Sequence, residues 1–237
     1  LLLLPILFCS FLGLTQNEWA QYDSAFPSSL FWNDVGVFSL EIDDTDTTRI
    51  FGTIIFSSGL GNKDMFYMKL DPSGNVVASK VFGSNLADIG KCMVSDLQGG
   101  YFVAGAKLSD PIILKINTNG DTTKSVLLNH HNGSLGSPSS MKYESGYLYL
   151  LTHYYLIILD DNLDVYKIIN HGIQLGGYGS DQMEIFGSRM ICTSDPNSHG
   201  ISYLDIDNLT KKSYNPDPWL GSGEIADIKK TSDTTLL

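Results

Sequence analysis

Apolar residues in this chain come in short runs, not at helical spacing. Val, Ile, Leu, Tyr and Phe cluster together, and each run ends in Asp, Asn, Gly, Ser or Pro. Short β-branched and aromatic runs closed by turn residues predict a strand-rich protein with tight turns. The clearest stretch predicts four strands in succession. Lys91–Val94 turns through Asp96–Gly100 into Tyr101–Ala106, and Ile112–Ile116 turns through Thr118–Gly120 into Thr122–Leu128. In Ser73-Gly74 and Asn119-Gly120 the glycine supplies the positive φ that a short hairpin loop demands and a Cβ disfavours.

The turns repeat. Leu70-Asp71-Pro72-Ser73-Gly74-Asn75 is matched by Ile116-Asn117-Thr118-Asn119-Gly120-Asp121 and by Leu159-Asp160-Asp161-Asn162-Leu163-Asp164. Leu204-Asp205-Ile206-Asp207-Asn208-Leu209 is a weaker copy, so the turns start 43 to 46 residues apart. A second marker keeps step with the first. Gly99-Gly100-Tyr101-Phe102-Val103 corresponds to Ser145-Gly146-Tyr147-Leu148-Tyr149, then to Phe186-Gly187-Ser188-Arg189-Met190. Four antiparallel strands in about 45 residues are one blade of a β-propeller. The expected fold is therefore all-β, a propeller of four-stranded antiparallel blades. Its expected blades are Val35–Gly83, Leu86–Leu128, Ser137–His171 and Asp181–Pro216, and a fifth opens near Gly223. A Leu start, and an end that reads as a strand just begun, predict an incomplete ring open at both ends. The segment Trp19–Phe26 has the spacing of the outer strand Val76–Phe82, which makes residues 16–34 a candidate ring-closing strand.

The runs Asp96–Gly105 (DLQGGYFVAG) and Ile113–Asp121 (ILKINTNGD) also carry a family likeness, as does Met68–Asn75 (MKLDPSGN) with Lys80–Gly83 (KVFG). They resemble the D-G-G-Y-x-x-A-G, K-L-D-x-x-G-N and K-x-F-G repeat of secreted propeller proteins common in Bacteroidetes. The resemblance covers residues 35–130 well and 137–237 weakly, where the Gly-Gly pair and the Phe-Gly close are missing. It implies a propeller fold, a secreted or cell-surface address, and the carboxy-terminal sorting domain that such proteins often carry. It implies no catalytic mechanism, because a fold alone never does.

The amino end agrees with that address. Leu1–Leu14 (LLLLPILFCSFLGL) carries no charge, and as a helix it would span about 21 Å, short of a ~30 Å hydrocarbon core. It reads as the apolar part of a secretory signal peptide occupying residues 1–15, with small Gly13 and Thr15 before a cut at Gln16. Phe8 ahead of Cys9 is too large for a lipoprotein signal. The propeller then occupies residues 35–237, and the mature chain does not span the membrane.

Composition narrows the chemistry. The 237 residues hold 26 Asp+Glu against 15 Lys+Arg, a net charge of -11, with 43% hydrophobic residues. That much apolar surface excludes a disordered acidic tail, and the negative balance argues against nucleic acid. Three cysteines make no disulfide scaffold, and Cys92 and Cys192, in different repeats, read as buried thiols.

Candidate sites fall in three groups. Glu41, Glu184 and Asp227, with Lys91 and Lys142, mark the expected starts of the inner strands, and the three acids are candidate channel carboxylates for a propeller glycosidase or lyase. Acidic clusters put oxygens at short spacing, with Asp43, Asp44 and Asp46 the candidate calcium ligands, although no loop adds a Glu at an EF-type twelfth position. Turn capping by Asp and Asn accounts for the same pattern. Tyr154, Tyr178 and Trp219 are candidate ligand-stacking aromatics, with Tyr155 and Tyr214 near them in type; such rings also fill the space between blades. His130, His131, His153, His171 and His199 lack the i, i+4 spacing of helical zinc motifs, and no G-x-S-x-G elbow or P-loop occurs. The sequons at Asn132 and Asn208 matter only in a eukaryotic secretory route. Three functions stay open: a binding module for glycan or protein, a carbohydrate-active enzyme, and a structural spacer in a larger surface protein.

Overall fold

The run Tyr101–Ala106 is apolar at every position because both of its faces are buried. Tyr101 and Val103 pack with Phe51, Met65, Tyr67, Leu114 and Ile116. Phe102 and Ala104 point the other way, into a cluster with Met141, Leu148, Leu150, Ile157 and Leu159. Side chains alternate along a strand, so a sheet sandwiched between two others needs two interleaved apolar sets.

A computed structural model describes residues 35–43, 45–55, 63–84, 86–129, 134–171, 183–193, 201–214, 230–232 and 235–236. Residues 1–15, expected as a signal peptide, and 16–34, expected as a ring-closing strand, lie outside the described residues. Blade 1 comprises β1 (Val35–Ile42), β2 (Thr48–Ile54), β3 (Asp64–Leu70) and β4 (Val76–Phe82). Blade 2 comprises β5 (Asp88–Ser95), β6 (Tyr101–Lys107), β7 (Asp110–Ile116) and β8 (Thr122–Leu127). Blade 3 comprises β9 (Pro138–Glu144), β10 (Tyr147–Thr152), β11 (Tyr155–Asp160) and β12 (Val165–Asn170). Blade 4 comprises β13 (Met183–Phe186), β14 (Arg189–Thr193), β15 (Ile201–Asp205) and β16 (Lys211–Tyr214), and β17 (Lys230–Ser232) pairs with β18 (Thr235–Leu236). Each of the four sheets runs antiparallel in chain order. The all-β propeller expected from the repeat is the fold observed, with the four blades where the turn spacing put them.

The core lies between blades. Blades 1 and 2 share the cluster around Phe51, Tyr67 and Val103, and blades 2 and 3 that around Phe102, Leu150 and Ile157. Blades 3 and 4 share a third, in which Leu151, Leu156 and Ile158 meet Met183, Met190 and Leu204. Outer strands β4, β8 and β12 are largely exposed and lack this double pattern. The free thiol of Cys92 is buried in the second cluster, and burial pushes it up to about 12. The side chain of Cys192 lies outside the described residues.

One turn design closes most hairpins on one face of the ring. The Asp71 carboxylate Oδ1 accepts from the amides of Ser73 (2.9 Å) and Asn75 (2.8 Å), while the Gly74 amide donates to the Asp71 carbonyl. Asn117 does the same for Asn119 and Asp121, and Asp160 for Asn162 and Asp164. The residue three after the capping side chain takes positive φ: Gly74 (83°), Gly120 (82°) and Leu163 (57°). The same cap closes the first hairpins of blades 1 and 2, at Asp43 and Asp96. Each blade also reaches onto the turn of the next. From blade 1 to 2 Lys80 pairs with Asp121 at 2.7 Å, from blade 2 to 3 Lys115 Nζ donates to the Asp161 carbonyl, and from blade 3 to 4 Lys167 Nζ donates to the Ile206 carbonyl.

Candidate functional site

Inner strands β1, β9 and β13 each carry a charged residue near the end that leads into the turn face, and β9 ends on a second, Glu144. Glu41 is the last residue but one of β1, Lys142 stands two before the end of β9, and Glu184 two before the end of β13. The inner strands begin at Val35, Asp88, Pro138 and Met183, so Glu184 stands beside a strand start as expected, whereas Glu41, Lys91 and Lys142 stand further along theirs, a correction of the expected starts.

Lys142 links the two acids. Its Nζ lies 2.8 Å from Glu184 Oε1, and the Glu184 side chain is only 8% exposed. Its charge also acts on Glu41. Glu41 faces Arg49 across the β1–β2 pair. Burial holds its carboxyl above the usual carboxylate range, against the pull of the Ser95 backbone, Arg49 and Lys142. Arg49 is itself buried, with Nη1 2.8 Å from Asp43 Oδ2 and the guanidinium 5.1 Å over the Tyr101 ring. Burial is also the main cause that pushes the Tyr101 hydroxyl up to about 12. On β5, Lys91 stands 4.9 Å over the Phe38 ring, a cation–π contact with β1. Asp227, the third candidate carboxylate, lies outside the described residues. Lys142 as the partner of Glu184 is what sequence reasoning missed. The available signal was the order of signs at one place in successive units, Glu41, Lys91, Lys142, Glu184, which sets a base next to an acid in blades 3 and 4.

The acidic cluster at Asp43 is a capped turn. Its carboxylate accepts from the amides of Thr45 and Thr47, from Thr45 Oγ1 at 2.6 Å, and from Arg49. Those bonds, the Thr45 hydroxyl foremost, hold its carboxyl well below the usual range. Asp46 is exposed at φ 56°, in the position that glycine takes in the other turns, and Asp44 lies outside the described residues. Among the described residues, no three His, Cys, Asp or Glu side chains gather as cation ligands.

The opposite face carries the aromatic candidate. Tyr154, on the hairpin between β10 and β11, is 52% exposed. Its ring meets His153 edge-on at 4.6 Å and Tyr155 at 6.4 Å. The hairpin is pinned from below. Buried Thr152 donates through Oγ1 to the Leu135 carbonyl and accepts from the Tyr155 amide. His171 is buried, with Nε2 3.1 Å from the Thr152 carbonyl, and desolvation holds its imidazole below the ordinary value. Gly136, at φ +82°, leaves room for the His153–Tyr154 pair, since a Cβ there would stand 3.1 Å from His153 Cβ. Tyr178, Trp219, His130, His131 and His199 lie outside the described residues.

No protein-family profile and no curated protein matches this chain. Solved structures do. The chain is similar to a protein of unknown function from Bacteroides caccae, at TM-score 0.52 and 12% identity, over 77% of this chain and 68% of that one. It is similar to the extracellular domain of a hybrid two-component system protein, BT3049, from B. thetaiotaomicron, at TM-score 0.50 and 13% identity, over 85% of this chain. A protein from Lactobacillus plantarum is similar at TM-score 0.50 and 11% identity, over 77% of this chain and 55% of that one. The chain spans about a quarter of the extracellular domain, 26%. At these identities the likeness is one of fold. Among the described residues no helix is long and apolar enough to cross a membrane.

Proposed function

We propose that this protein is a secreted or cell-surface propeller that binds a glycan or protein ligand through the face bearing Tyr154. The observation that carries the reading is the exposed Tyr154 ring, seated edge-on against His153 on a hairpin fixed by Thr152 and His171. An exposed aromatic on a rigid mount offers stacking area at little entropic cost, which suits the apolar face of a sugar or a protein surface. The turn face is a poor rival, because its capping side-chain oxygens are occupied by their own backbones. The signal-like amino end, the resemblance to secreted Bacteroidetes repeats and the extracellular neighbour support the address.

A glycan array, run with wild type and Tyr154→Ala, tests this. Retention of a defined glycan class by wild type and its loss in Tyr154→Ala, with no sugar released, is the expected result. Release of reducing sugar that Glu41→Gln or Glu184→Gln abolishes would establish the enzyme instead. An array and surface-protein panel blank for both proteins would leave the spacer role.

A further inference from the structure

Two aspartates outside these sites lie in the seam between blades 1 and 2. Asp64 opens β3, Asp88 opens β5, and each is 2% exposed. The backbone holds them side by side, since the Asp88 amide donates to the carbonyl of Lys63 at 2.8 Å. Their carboxyl groups are served very differently. Asp88 Oδ2 accepts from the Ser84 amide at 2.6 Å and from Ser84 Oγ at 2.7 Å. Asp64 Oδ1 is buried with no hydrogen-bond partner. It lies hard against Gly83, where a Cβ would stand 1.8 Å from it.

Among the described residues, no positive side chain answers the two acids. Lys63 immediately precedes β3, and Lys107 stands opposite Asp88 in the β5–β6 register and opposite Asp110 in the β6–β7 register. Among the described residues, neither lysine forms an ion pair with either aspartate. On β2 the residue opposite Asp64 is the uncharged Ile54. A buried carboxylate with neither donor nor cation is strongly disfavoured, and a second charge beside it makes matters worse. Asp88, with two donors, is the natural holder of the negative charge.

We propose that Asp64 and Asp88 carry one negative charge between them in the folded protein, with the proton on Asp64, so that the seam between blades 1 and 2 loosens as pH rises. Burial, and then the charge of Asp88, both act to raise the Asp64 carboxyl above its ordinary value. Unfolded Asp64 gives up its proton near pH ~4, while the folded chain retains it to higher pH. Protonation therefore favours the folded state at low pH, and this contribution is lost as pH rises from about 4 through the raised value. Each unit of elevation makes folding about tenfold less favourable at neutral pH.

The test is a carboxyl-carbon NMR titration of aspartate-labelled protein, with denaturant unfolding at pH 4 and pH 8. One aspartate is expected to titrate above the ordinary value, and its signal to vanish in Asp64→Asn. Asp88→Asn should move that midpoint down. Asp64→Asn should raise the folding constant about tenfold at pH 8 and change it little at pH 4. If Asp64→Asn does not fold, the wild-type titration and its shift in Asp88→Asn decide alone. An Asp64 midpoint at or below the ordinary value would overturn the proposal. So would a calcium-dependent rise in wild-type stability that Asp64→Asn abolishes, because the pair would then hold a cation in place of a proton.

Discussion

The Leu163 amide donates to the Asp160 carbonyl at 2.9 Å, and the turn this bond closes holds a leucine at φ 57°. The corresponding residues of blades 1 and 2 are Gly74 and Gly120. A leucine in the left-handed region costs about 1–2 kcal/mol. It persists because its side chain is 2% exposed and sits in the cluster shared by blades 2 and 3. Removing a buried leucine side chain costs about 2–5 kcal/mol, more than the strain it relieves. Leu163→Gly is therefore expected to destabilise by about 2–4 kcal/mol. Leu97, at φ 60° and 77% exposed, has the strain without the burial. Leu97→Gly should stabilise by about 0.5–1 kcal/mol, the relief less the added backbone entropy. Urea midpoints of the two variants should move in opposite directions.

The capping carboxylates give the ring an acid limb opposite in sign to that of Asp64. The Asn75 side chain and the amides of Asn75 and Ser73 hold the Asp71 carboxyl below its ordinary value. A depressed folded value contributes stability above the unfolded value near pH ~4, and that contribution is lost as pH falls further. Asp71→Asn keeps the Oδ1 acceptor and loses the charge, while Asp71→Ala loses both. At pH 7 Asp71→Ala should melt several degrees lower and Asp71→Asn close to wild type. Below pH 4 the gap between wild type and Asp71→Ala should narrow. Melting curves from pH 2 to pH 7 check this, and a gap that widens in acid would refute the assignment.

The fold was legible because its turns are spelled out. Asp71, Asn117 and Asp160 recur at one period, and the run around Tyr101 and Phe102 shows strands buried on both faces. Where the reading fell short, the missing information was spatial. Asp43 has the look of a cation ligand in sequence, but its partners are Arg49 and the Thr45 and Thr47 amides, which the hairpin brings back to it. Glu184 meets Lys142 only because consecutive inner strands stand side by side, although the two are 42 positions apart. Leu163 gave no turn signal, since leucine marks cores and here does both jobs. The pairing of Asp64 with Asp88 was invisible for the same reason as that of Glu184 with Lys142.

Lys142 and Glu184 make the one ion pair among the described residues that joins the inner strands of blades 3 and 4. Lys142 keeps 35% of its side chain exposed, so solvent screens part of the attraction, while Glu184 at 8% would be left nearly dry without it. Lys142→Met should therefore destabilise by about 1–2 kcal/mol, between the ranges for exposed and buried pairs. Glu184→Gln should cost less, because an amide is less penalised by burial. The double variant should recover most of the Lys142→Met loss, giving a coupling energy that a double-mutant cycle measures. Additive effects would show that the pair contributes nothing beyond its separate side chains.

Three glycines set how closely neighbouring strands approach around the seam between blades 1 and 2, and the contact of Gly90 with Gly52 is the one that crosses it. A Cβ on Gly90 would stand 2.3 Å from the Gly52 carbonyl oxygen, one on Gly52 2.0 Å from the Gly36 oxygen, and one on Gly105 2.4 Å from the Ile89 oxygen. These obstacles are backbone, which cannot swing aside, and none of the three glycines has a positive φ to explain it. Their role is close approach. The same approach lets Thr53 Oγ1 donate to the Gly90 carbonyl at 3.1 Å across the seam. Gly90→Ala must push the strands apart and break that bond, so it is expected to destabilise by about 2–3 kcal/mol, the upper part of the range for overpacking. At Gly36 the nearest atom is the tip of the Phe38 ring, 2.9 Å away and free to rotate on an exposed residue. Gly36→Ala should accordingly cost less than about 1 kcal/mol. Unfolding curves of the two variants separate a backbone contact from a side-chain one, and equal losses would mean that the blades can move apart freely.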